Sequence, residues 1–357
     1  MPSTDSNSSG HVNVLSEDPL CAGVFLPDLE LPVSPIGGHF IRSHFAAPQI
    51  NSSHWSLPVT GDVDNPLDLR YDDLLKMPSH EIVSLMECAG NSRSTMQPPA
   101  EGVQWDNGGV SVSRWKGVSV KTVLEQASLK GVATDVLFEG VDSGTEAHAD
   151  GPMCYAMSVP LEKLLDPDTI LAYEMNGEPI PEDHGFPIRL LVPGWYGMAS
   201  VKWLARITVM DHPNAGFHEM DYHIYPATNG KADAKAKRIT SLKVKSLISA
   251  PAKGSFLNPG LHQIKGVAWS GDGHITKVEV STDDDRTWRP AKLEEPSGNY
   301  SWQHWEVDWE ANNLGHALLR SRATDSQGNV QPMLAQWNYR GYQVNSIHSV
   351  PVTVRKS

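Results

Sequence analysis

The chain contains 357 residues, a length that exceeds one typical hydrophobic core and predicts two domains, or at most three. Its formal net charge is −13, which argues against a general nucleic-acid binder and against a protein that binds acidic membrane surfaces. Any site for an anion must therefore be a local group of basic side chains.

The first 35 residues are rich in serine, asparagine and proline, and this composition predicts an extended arm over 1–35. The chain shows no export signal, and no segment approaches the roughly 18 apolar residues of a membrane span. We therefore expect a cytoplasmic protein, or a periplasmic one if a leader was removed. Three cysteines, Cys21, Cys88 and Cys154, form no CxxC pair, which argues against a disulfide framework and against a c-type haem. We expect Cys21 and Cys154 to be structural.

A cysteine-bearing loop is the central motif of the predicted domain over 36–228. The alternating run 82–86 predicts a strand that ends just before Cys88, and the glycine and asparagine that follow form a turn closing on Arg93. A nearby arginine lowers the pKa of a cysteine, so the loop predicts a thiolate that meets an electron-poor or anionic partner. Upstream, residues 37–44 bring two histidines and an arginine behind paired glycines, a pattern that fits an anion pocket or an ordinary polar loop.

Helical and strand patterns of this domain alternate irregularly, which predicts a mixed α+β fold rather than a regular parallel one. Short helices are expected at 71–77, from Ser119 onward and at 161–165. In the second of them one face carries Val120, Val123, Leu124 and Ala127. Polar residues then arrive singly at predicted strand ends. They are Asp142, His184, Arg189 and Lys202.

The charged stretch 229–238 is predicted as a linker, and the pattern beyond it changes. Runs at 264–269, 275–281, 304–309, 317–324 and 333–339 read as short strands separated by turn signals. This spacing predicts an immunoglobulin-like β sandwich over 239–357 without the usual disulfide. The tryptophans there are expected to serve packing. They are Trp269, Trp302, Trp305 and Trp309.

One thiol, one aspartate and scattered basic groups fit a soft metal bound by thiolate beside a large anionic cofactor. Zinc spacing, a GxGxxG fingerprint and a phosphate-binding P-loop are all missing from the sequence. Two alternatives stay open at this point. Cys88 could be a nucleophile with a histidine base, or it could be buried packing in a two-domain binding or scaffold protein.

The sequence resembles the sulfite oxidase family of molybdenum cofactor enzymes from Gly38 to Val354. The motifs that carry the resemblance are Cys-Ala-Gly-Asn-Ser-Arg at 88–93, Phe-Glu-Gly-Val-Asp at 138–142, Asp-His-Gly-Phe-Pro at 183–187, Ser-Val-Lys-Trp at 200–203 and Asp-Ser-Gln-Gly-Asn-Val-Gln-Pro at 325–332. The resemblance implies a molybdopterin-binding domain followed by a dimerisation domain, hence a homodimer, and Cys88 as the metal ligand. The implied cofactor-binding residues are Phe40, Ile41, Arg42, Ser43, His44, Asp142, His184, Arg189, Ser200, Val201 and Lys202.

The resemblance also implies an oxidoreductase that converts sulfite to sulfate. Arg42, Arg93 and Arg340 would surround the oxyanion, because guanidinium groups match its oxygens, and Tyr222 would be the active-site tyrosine. No haem domain is expected, so electrons would pass to an external cytochrome c or to oxygen. Nitrate reduction and sulfane-sulfur dehydrogenation are rival activities within the family. Nitrate reductases typically carry a nonpolar residue where this chain has Arg340, which favours sulfite.

Overall fold

The computed structural model of this protein consists of two β-rich halves that share a buried interface. Its described residues are 12–147, 149–224 and 236–356. The first half is a mixed α+β unit, and the second is a sandwich of two sheets. The predicted α+β class with an all-β second domain is confirmed. The linker predicted at 229–238 falls largely outside the described residues, and the domain boundaries stay predictions.

An antiparallel hairpin opens the described part of the chain. Its strands, β1 (Val12–Glu17) and β2 (Leu20–Val24), pair with each other, and β2 also pairs with β3 (Ile41–Arg42). The extended arm predicted over 1–35 is therefore wrong from residue 12 onward. Cys21 on β2 is fully buried against the first-half core, and this apolar contact holds the polar-looking segment to the domain.

Two five-stranded sheets make up the body of the first half. Its further strands are β4 (Ser56–Gly61), β5 (Leu67–Arg70), β6 (Ser79–Glu87), β7 (Val110–Ser119), β8 (Asp135–Gly144), β9 (Met153–Pro160), β10 (Ile170–Met175), β11 (Glu178–Pro179), β12 (Arg189–Leu191) and β13 (Leu204–Met210). One sheet has the order β11-β10-β7-β6 with β12 paired to β10, and the other has the order β5-β4-β13-β8-β9. Only the β13–β4 pair in these sheets, as described, is parallel.

Four short helices connect these strands among the described residues. They are α1 (Tyr71–Lys76), α2 (Val120–Ala127), α3 (Leu161–Leu164) and α4 (Phe217–Asp221). The face predicted for α2 is confirmed, because the four apolar side chains named for it are all fully buried. The helices predicted at 71–77 and 161–165 form within one residue of those bounds. No helix in the described residues is long and apolar enough to cross a membrane.

The second half is built almost wholly from strands. They are β14 (His223–Ile224), β15 (Lys237–Arg238), β16 (Lys245–Ala250), β17 (Phe256–Leu257), β18 (Gly260–Trp269), β19 (Ile275–Ser281), β20 (Arg289–Pro290), β21 (Lys292–Leu293), β22 (Gln303–Ala311), β23 (Gly315–Asp325) and β24 (His348–Val354). The sheets β16-β18-β22-β21 and β17-β24-β23-β19-β20 enclose one apolar core. Facing side chains such as Ile264, Val278 and Leu319 are completely buried there.

The strand predicted at 333–339 is wrong. This segment is a loop that leaves the sandwich and packs against the first half, where Trp337 Nε1 donates to the Pro98 carbonyl at 2.9 Å. The Asn338 side chain donates to the Tyr342 carbonyl at 2.8 Å and accepts from the Tyr342 N–H at 2.9 Å. Such local side-chain bonds compete with a sheet ladder. The last strand is instead β24.

The four tryptophans serve packing, as predicted. Trp305 and Trp309 belong to the sandwich core, whereas Trp269 and Trp302 belong to the core cluster of the first half. All four are less than a tenth exposed. The two halves therefore share apolar side chains across their interface.

His348 at the start of β24 is a neutral acceptor in the sandwich, and it makes stability depend on pH. Its Nδ1 accepts the Ile248 N–H at 2.9 Å, and burial, with smaller effects of Lys245 and Lys253, lowers its pKa to about 4. As pH falls, the unfolded chain binds the proton first, so stability is lost between about pH 6.5 and pH 4. The His348 ring keeps partial contact with solvent, which weakens the effect of burial. We therefore expect acidification to lower the free energy of unfolding by about 2 kcal/mol, rather than by the ~3 kcal/mol that the whole pKa shift would give.

Thermal melts of the wild type and of His348→Asn between pH 4 and pH 7 test this expectation. An asparagine oxygen can accept the same N–H but does not titrate. The stability lost on acidification should therefore be smaller in the variant. Parallel pH profiles for the two proteins would remove His348 as the source.

Candidate active site

A cavity where β3, β6 and β8 end collects most of the predicted cofactor residues. Its empty volume is about 660 Å³, part of which opens to solvent. The predicted residues on its wall are Phe40, Ile41, Arg42, Ser43, His44, Cys88, Asp142, His184, Arg189, Ser200, Lys202 and Tyr222. Val201 does not line it, because its side chain is 1% exposed and its carbonyl accepts the Leu190 N–H at 2.8 Å. Residues far apart in sequence thus converge on one space.

Cys88 lies just after β6 on a loop held by backbone hydrogen bonds. The Cys88 N–H donates to the Gly109 carbonyl at 2.8 Å, and the Asn91 N–H donates to the Cys88 carbonyl at 2.9 Å. A side chain at Gly90 would displace the Arg93 guanidinium, because a Cβ there would lie 2.5 Å from its Nη2. The loop therefore fixes the thiol and Arg93 relative to each other.

Burial raises the pKa of the Cys88 thiol by more than Arg42 and Arg93 lower it. The expectation that Arg93 alone would yield a thiolate is therefore wrong, because removing a thiol from water disfavours its charged form. A bound metal cation would supply the missing positive charge, since thiolate is the form that coordinates metals. The environment of Cys88 suits a metal ligand better than a free nucleophile.

A buried ion pair supports the Cys88 loop from behind. Glu87 and Lys245 are each 1% exposed, and Lys245 Nζ lies 2.9 Å from Glu87 Oε1. Asn91 Nδ2 donates to the same carboxylate at 2.9 Å, and Trp269 Nε1 donates to Glu87 Oε2 at 2.9 Å. Lys245 also donates to Ser92 Oγ at 2.8 Å. Side chains of the second half thus hold the base of the loop.

Buried basic groups form the opposite wall of the cavity. Lys202 Nζ donates to Ser43 Oγ at 2.8 Å and to the Asp183 carbonyl at 2.9 Å. Arg189 donates to the His184 carbonyl at 2.8 Å and to the Ser200 carbonyl at 3.0 Å. Burial, with a smaller contribution from Arg189, lowers the pKa of Lys202 to about 7, and burial lowers that of Arg189 to about 9. An anionic ligand here would raise both pKa values again, because it favours the charged forms of the two side chains.

Several buried polar atoms on this wall have no hydrogen-bond partner among the described residues. They are Asp142 Oδ1, His39 Nε2 and Arg189 Nε. Burial raises the pKa of Asp142 to about 6, although Lys202 lowers it, and burial is the main factor that lowers the pKa of His39 to about 3. Unpartnered buried polar atoms are costly and normally mark a missing ligand or water. The donor set fits a large, polar, anionic cofactor that meets a metal at Cys88.

A second space, here called the arginine chamber, adjoins the first cavity and contains Arg42, Arg93 and Arg340 in its wall. Arg42, His44, Cys88 and Tyr222 line both spaces. Arg340 Nη2 lies 2.5 Å from Asp221 Oδ1. The three arginines predicted from sequence therefore meet beside the thiol.

Arg93 is fixed in this chamber by carbonyl groups. Its Nε donates to the Arg340 carbonyl at 2.7 Å, and its Nη1 donates to the Val103 carbonyl at 2.8 Å. The Tyr342 ring lies 5.2 Å from the guanidinium carbon, and the Tyr342 hydroxyl donates to Asp221 at 3.0 Å. These contacts orient Arg93 and Arg340 together.

Tyr222 lies in the wall between the two spaces, and its hydroxyl keeps its proton. Burial raises its pKa above the ordinary value for tyrosine, although Arg42 opposes the shift. Its hydroxyl lies 2.7 Å from His44 Nε2. Burial, with a smaller contribution from Arg42, lowers the pKa of His44 well below its ordinary value, so the imidazole is neutral. Tyr222 is therefore a hydrogen-bond donor to His44.

Sequence reasoning missed several residues of the site. His39 was part of the 37–44 motif, and Glu87 preceded the cysteine, so a local signal existed for both. Tyr155 and Glu146 had none, because they reach the site only through the pairing of β8 with β9. The Tyr155 ring stacks on His44 with centroids 4.9 Å apart.

Comparisons with known proteins agree with this geometry. Residues 44–218 match the family described as "Oxidoreductase molybdopterin binding domain", and residues 236–355 match "Mo-co oxidoreductase dimerisation domain". The chain is 35% identical over 355 residues to the mitochondrial sulfite oxidase of Rattus norvegicus, covering 90% of this chain and 62% of that protein. It therefore spans less than two thirds of the length of that relative.

Other relatives carry different activities. Nitrate reductase [NADH] 1 of Arabidopsis thaliana is 32% identical over 355 residues, covering 91% of this chain and 38% of that protein. The sulfane dehydrogenase SoxCD of Paracoccus pantotrophus superposes with a TM-score of 0.85 at 27% identity, covering 100% of this chain and 96% of that one. The scaffold is thus common to enzymes with distinct substrates.

Proposed function

Because the chain belongs to the sulfite oxidase family of molybdenum oxidoreductases, we propose that it oxidises sulfite to sulfate and passes the electrons to an external acceptor. The observation that carries this proposal is the arginine chamber beside a single thiol. Arg42, Arg93 and Arg340 converge there on the side where Cys88 would hold the metal. A dianion the size of sulfite matches planar guanidinium donors.

Molybdopterin would be held by the residues of the first cavity. Cys88 would bind the molybdenum, and Lys202 and Arg189 would neutralise the phosphate end. The remaining contacts would come from Phe40, Ile41, Arg42, Ser43, His44, Asp142, His184 and Ser200, whereas Val201, which was predicted with them, does not line the cavity. When bound, the molybdenum cofactor supplies two-electron oxidation with release of electrons one at a time. The residues of the two spaces would orient the substrate and exclude competing ligands from the site.

Steady-state assays distinguish this proposal from its rivals. Purified protein from a host that makes the cofactor should oxidise sulfite with ferricyanide, cytochrome c or oxygen as acceptor. Parallel assays with the three acceptors identify the one that the protein uses. Reduction of nitrate by a reduced dye is measured beside them. Nitrate turnover without sulfite turnover would overturn the sulfite assignment, and protein without molybdenum or pterin would favour the non-enzymatic binding reading.

Sulfane-sulfur dehydrogenation is a second candidate, favoured by the structural likeness to SoxCD along the whole chain. The substrate of a sulfane-sulfur dehydrogenase is larger than sulfite. Whether the arginine chamber is wide enough to admit it therefore distinguishes the two activities. A sulfane-sulfur substrate on a carrier protein belongs in the same assay. Faster turnover of that substrate than of sulfite would reassign the function.

Arg340→Met should mainly weaken sulfite binding. It removes a charge-assisted contact worth about 1.5–3 kcal/mol, so we expect KM to rise roughly 10- to 150-fold. The loss also leaves Asp221 in the chamber without its partner, which adds repulsion to an anion. Initial rates over a range of sulfite concentrations measure the change.

The matched control for this variant is Arg206→Met, which removes an arginine that is 59% exposed and pairs with Glu139 on the surface. Its KM should equal that of the wild type. If Arg340→Met also keeps the wild-type KM, Arg340 has no role in the substrate pocket.

We further propose a homodimer formed by the second half. Large apolar side chains stay exposed there, including Phe256, Leu261 and Leu334 at 62%, 67% and 80%. Light scattering after size-exclusion chromatography should give twice the chain mass, and a monomeric mass at micromolar concentration would contradict it. The cytoplasmic location and the cytochrome or oxygen partner stay predictions.

A further inference from the structure

A line of hydrogen bonds leads from the arginine chamber towards solvent. The Tyr222 hydroxyl lies 2.7 Å from His44 Nε2, and His44 Nδ1 lies 2.9 Å from Glu146 Oε1. Tyr222 is 6% exposed, whereas the side chain of Glu146 is 27% exposed. All three residues line the arginine chamber, and the line therefore runs along its wall from the buried side to the side that is exposed to water.

Each hydrogen bond along this line is donated in the same direction, from Tyr222 to His44 and from His44 to Glu146. A carboxylate can only accept, so His44 Nδ1 carries the hydrogen that is shared with Glu146. The other imidazole nitrogen, Nε2, is then free to accept from the Tyr222 hydroxyl. A carboxylate that fixes the tautomer of a histidine in this manner is the arrangement of the catalytic triads. A proton can thus move in one direction, from Tyr222 towards Glu146.

The same region can be read as a metal site, and the surrounding charge argues against it. His218 on α4 places its Nε2 4.0 Å from Glu146 Oε1, so His44, Glu146 and His218 resemble a ligand set. Arg42 Nη2, however, lies 3.3 Å from His44 Nδ1, the atom that would bind the ion. A guanidinium at that distance repels a second cation. Proton transfer avoids this repulsion when one proton leaves Nδ1 as the other arrives at Nε2, because the imidazole then never carries a positive charge beside Arg42.

Sulfite oxidation requires an exit for protons. One sulfite and one water yield one sulfate, two protons and two electrons, and the electrons leave to a one-electron acceptor such as ferricyanide or a cytochrome. Three arginines line the chamber where this occurs, and they neither take up nor give up a proton at neutral pH. The protons must leave by another group.

We propose that Glu146 is the exit residue of a proton relay that begins at Tyr222 and passes through His44, an inference that rests on the proposed function. A proton from the chamber enters at the Tyr222 oxygen, the hydroxyl proton moves to His44 Nε2, and the Nδ1 proton moves to Glu146. Glu146 then releases it to solvent and Tyr222 has regained its proton, whereas His44 is left as the Nε2–H tautomer. The imidazole ring must turn over, or exchange its proton with water, before the next transfer. Glu146 acts through His44 in this relay, although its side chain also lines the chamber.

Glu146→Gln tests the relay, because a glutamine can accept the His44 hydrogen bond but cannot take up the proton. We expect kcat to fall about 10- to 100-fold, below the largest general acid–base effects because water can substitute in part. The KM for sulfite, the molybdenum content and the stoichiometric reduction of the enzyme by sulfite should stay near wild type. The solvent deuterium isotope effect on kcat should rise, and added imidazole buffer should restore part of the rate.

Two further variants complete the experiment. Glu146→Asp keeps a carboxylate and should retain most of the wild-type kcat. Glu139→Gln removes from β8 a carboxylate of the same 27% exposure, which pairs with Arg206 on β13, and this variant should behave as the wild type. A loss in Glu139→Gln equal to that in Glu146→Gln would make the effect a general consequence of surface charge and would overturn the relay.

The outcomes separate the relay from the proposed function. A wild-type protein with no sulfite turnover would defeat both. Sulfite turnover in the wild type together with an unchanged kcat and isotope effect in Glu146→Gln would defeat the relay alone. A fall in kcat that buffer does not restore, accompanied by loss of molybdenum, would assign Glu146 a structural role instead.

Discussion

Replacing Cys88 with serine should lower sulfite turnover by more than about 100-fold, the upper end of the effect of residues that only support a metal ligand. The side chain faces the cavity at the meeting point of the cofactor wall and the arginine chamber. Serine is nearly the same size, so the fold and the pterin contacts of Lys202 and Arg189 should persist. A hydroxyl, however, cannot replace thiolate as a soft ligand to molybdenum.

Pterin content, circular dichroism and turnover measured on the same preparation test this expectation. Cys154→Ser is the matched control, because Cys154 is exposed and lies away from both spaces. The control should retain full activity. Cys88→Ser with rates near wild type would refute Cys88 as the metal ligand.

Lys245→Met should destabilise the protein by about 3–5 kcal/mol, because removing one partner of a buried ion pair leaves the other charge uncompensated. Glu87 would keep its bonds from Asn91 and Trp269 but lose its only cationic neighbour in the described network. For a chain of this size the melting temperature should fall by roughly 4–7 °C. The Cys88 loop, which begins at the next residue, should also hold its cofactor less tightly.

The double variant Glu87→Gln with Lys245→Met separates charge from packing. Glutamine can still accept from Trp269 without carrying a charge, so the double variant should melt above Lys245→Met alone. Lys121→Met serves as the surface control, because Lys121 pairs with Glu125 in water and should barely change the melting temperature. Equal melting temperatures for Lys245→Met and the wild type would show that the buried pair contributes no net stability.

Local pattern was enough to predict elements whose contacts are local. The apolar spacing of α2 identified a helix that begins one residue after the predicted Ser119. The alternation over 82–86 identified β6, which begins three residues earlier and ends one residue later than that run. The arginine chamber was predicted from residues that are distant in sequence only because the motifs resemble a known family. Periodicity alone carries no information about which loops meet.

Tertiary contacts account for the parts that sequence did not predict. The polar composition of the N-terminal segment predicted an extended arm. Instead, Cys21 on β2 pairs with Arg42 on β3, and this pairing fixes the segment to the sheet. The loop at 333–339 alternates like a strand, but its partners lie in the first half. The pKa of Cys88 has the opposite shift from the one expected, because the depth of burial is set by the whole fold.

The contact between Glu87 and Lys245 also sets an order of events during biosynthesis. The two residues are 158 positions apart, and Gln343, later still, donates its N–H to the Ala89 carbonyl at 2.8 Å. At about 5–20 residues per second the ribosome needs on the order of 10–30 s to reach Lys245 after Glu87. During that interval the metal loop lacks the side chains that hold it. Cofactor insertion should therefore follow release of the finished chain.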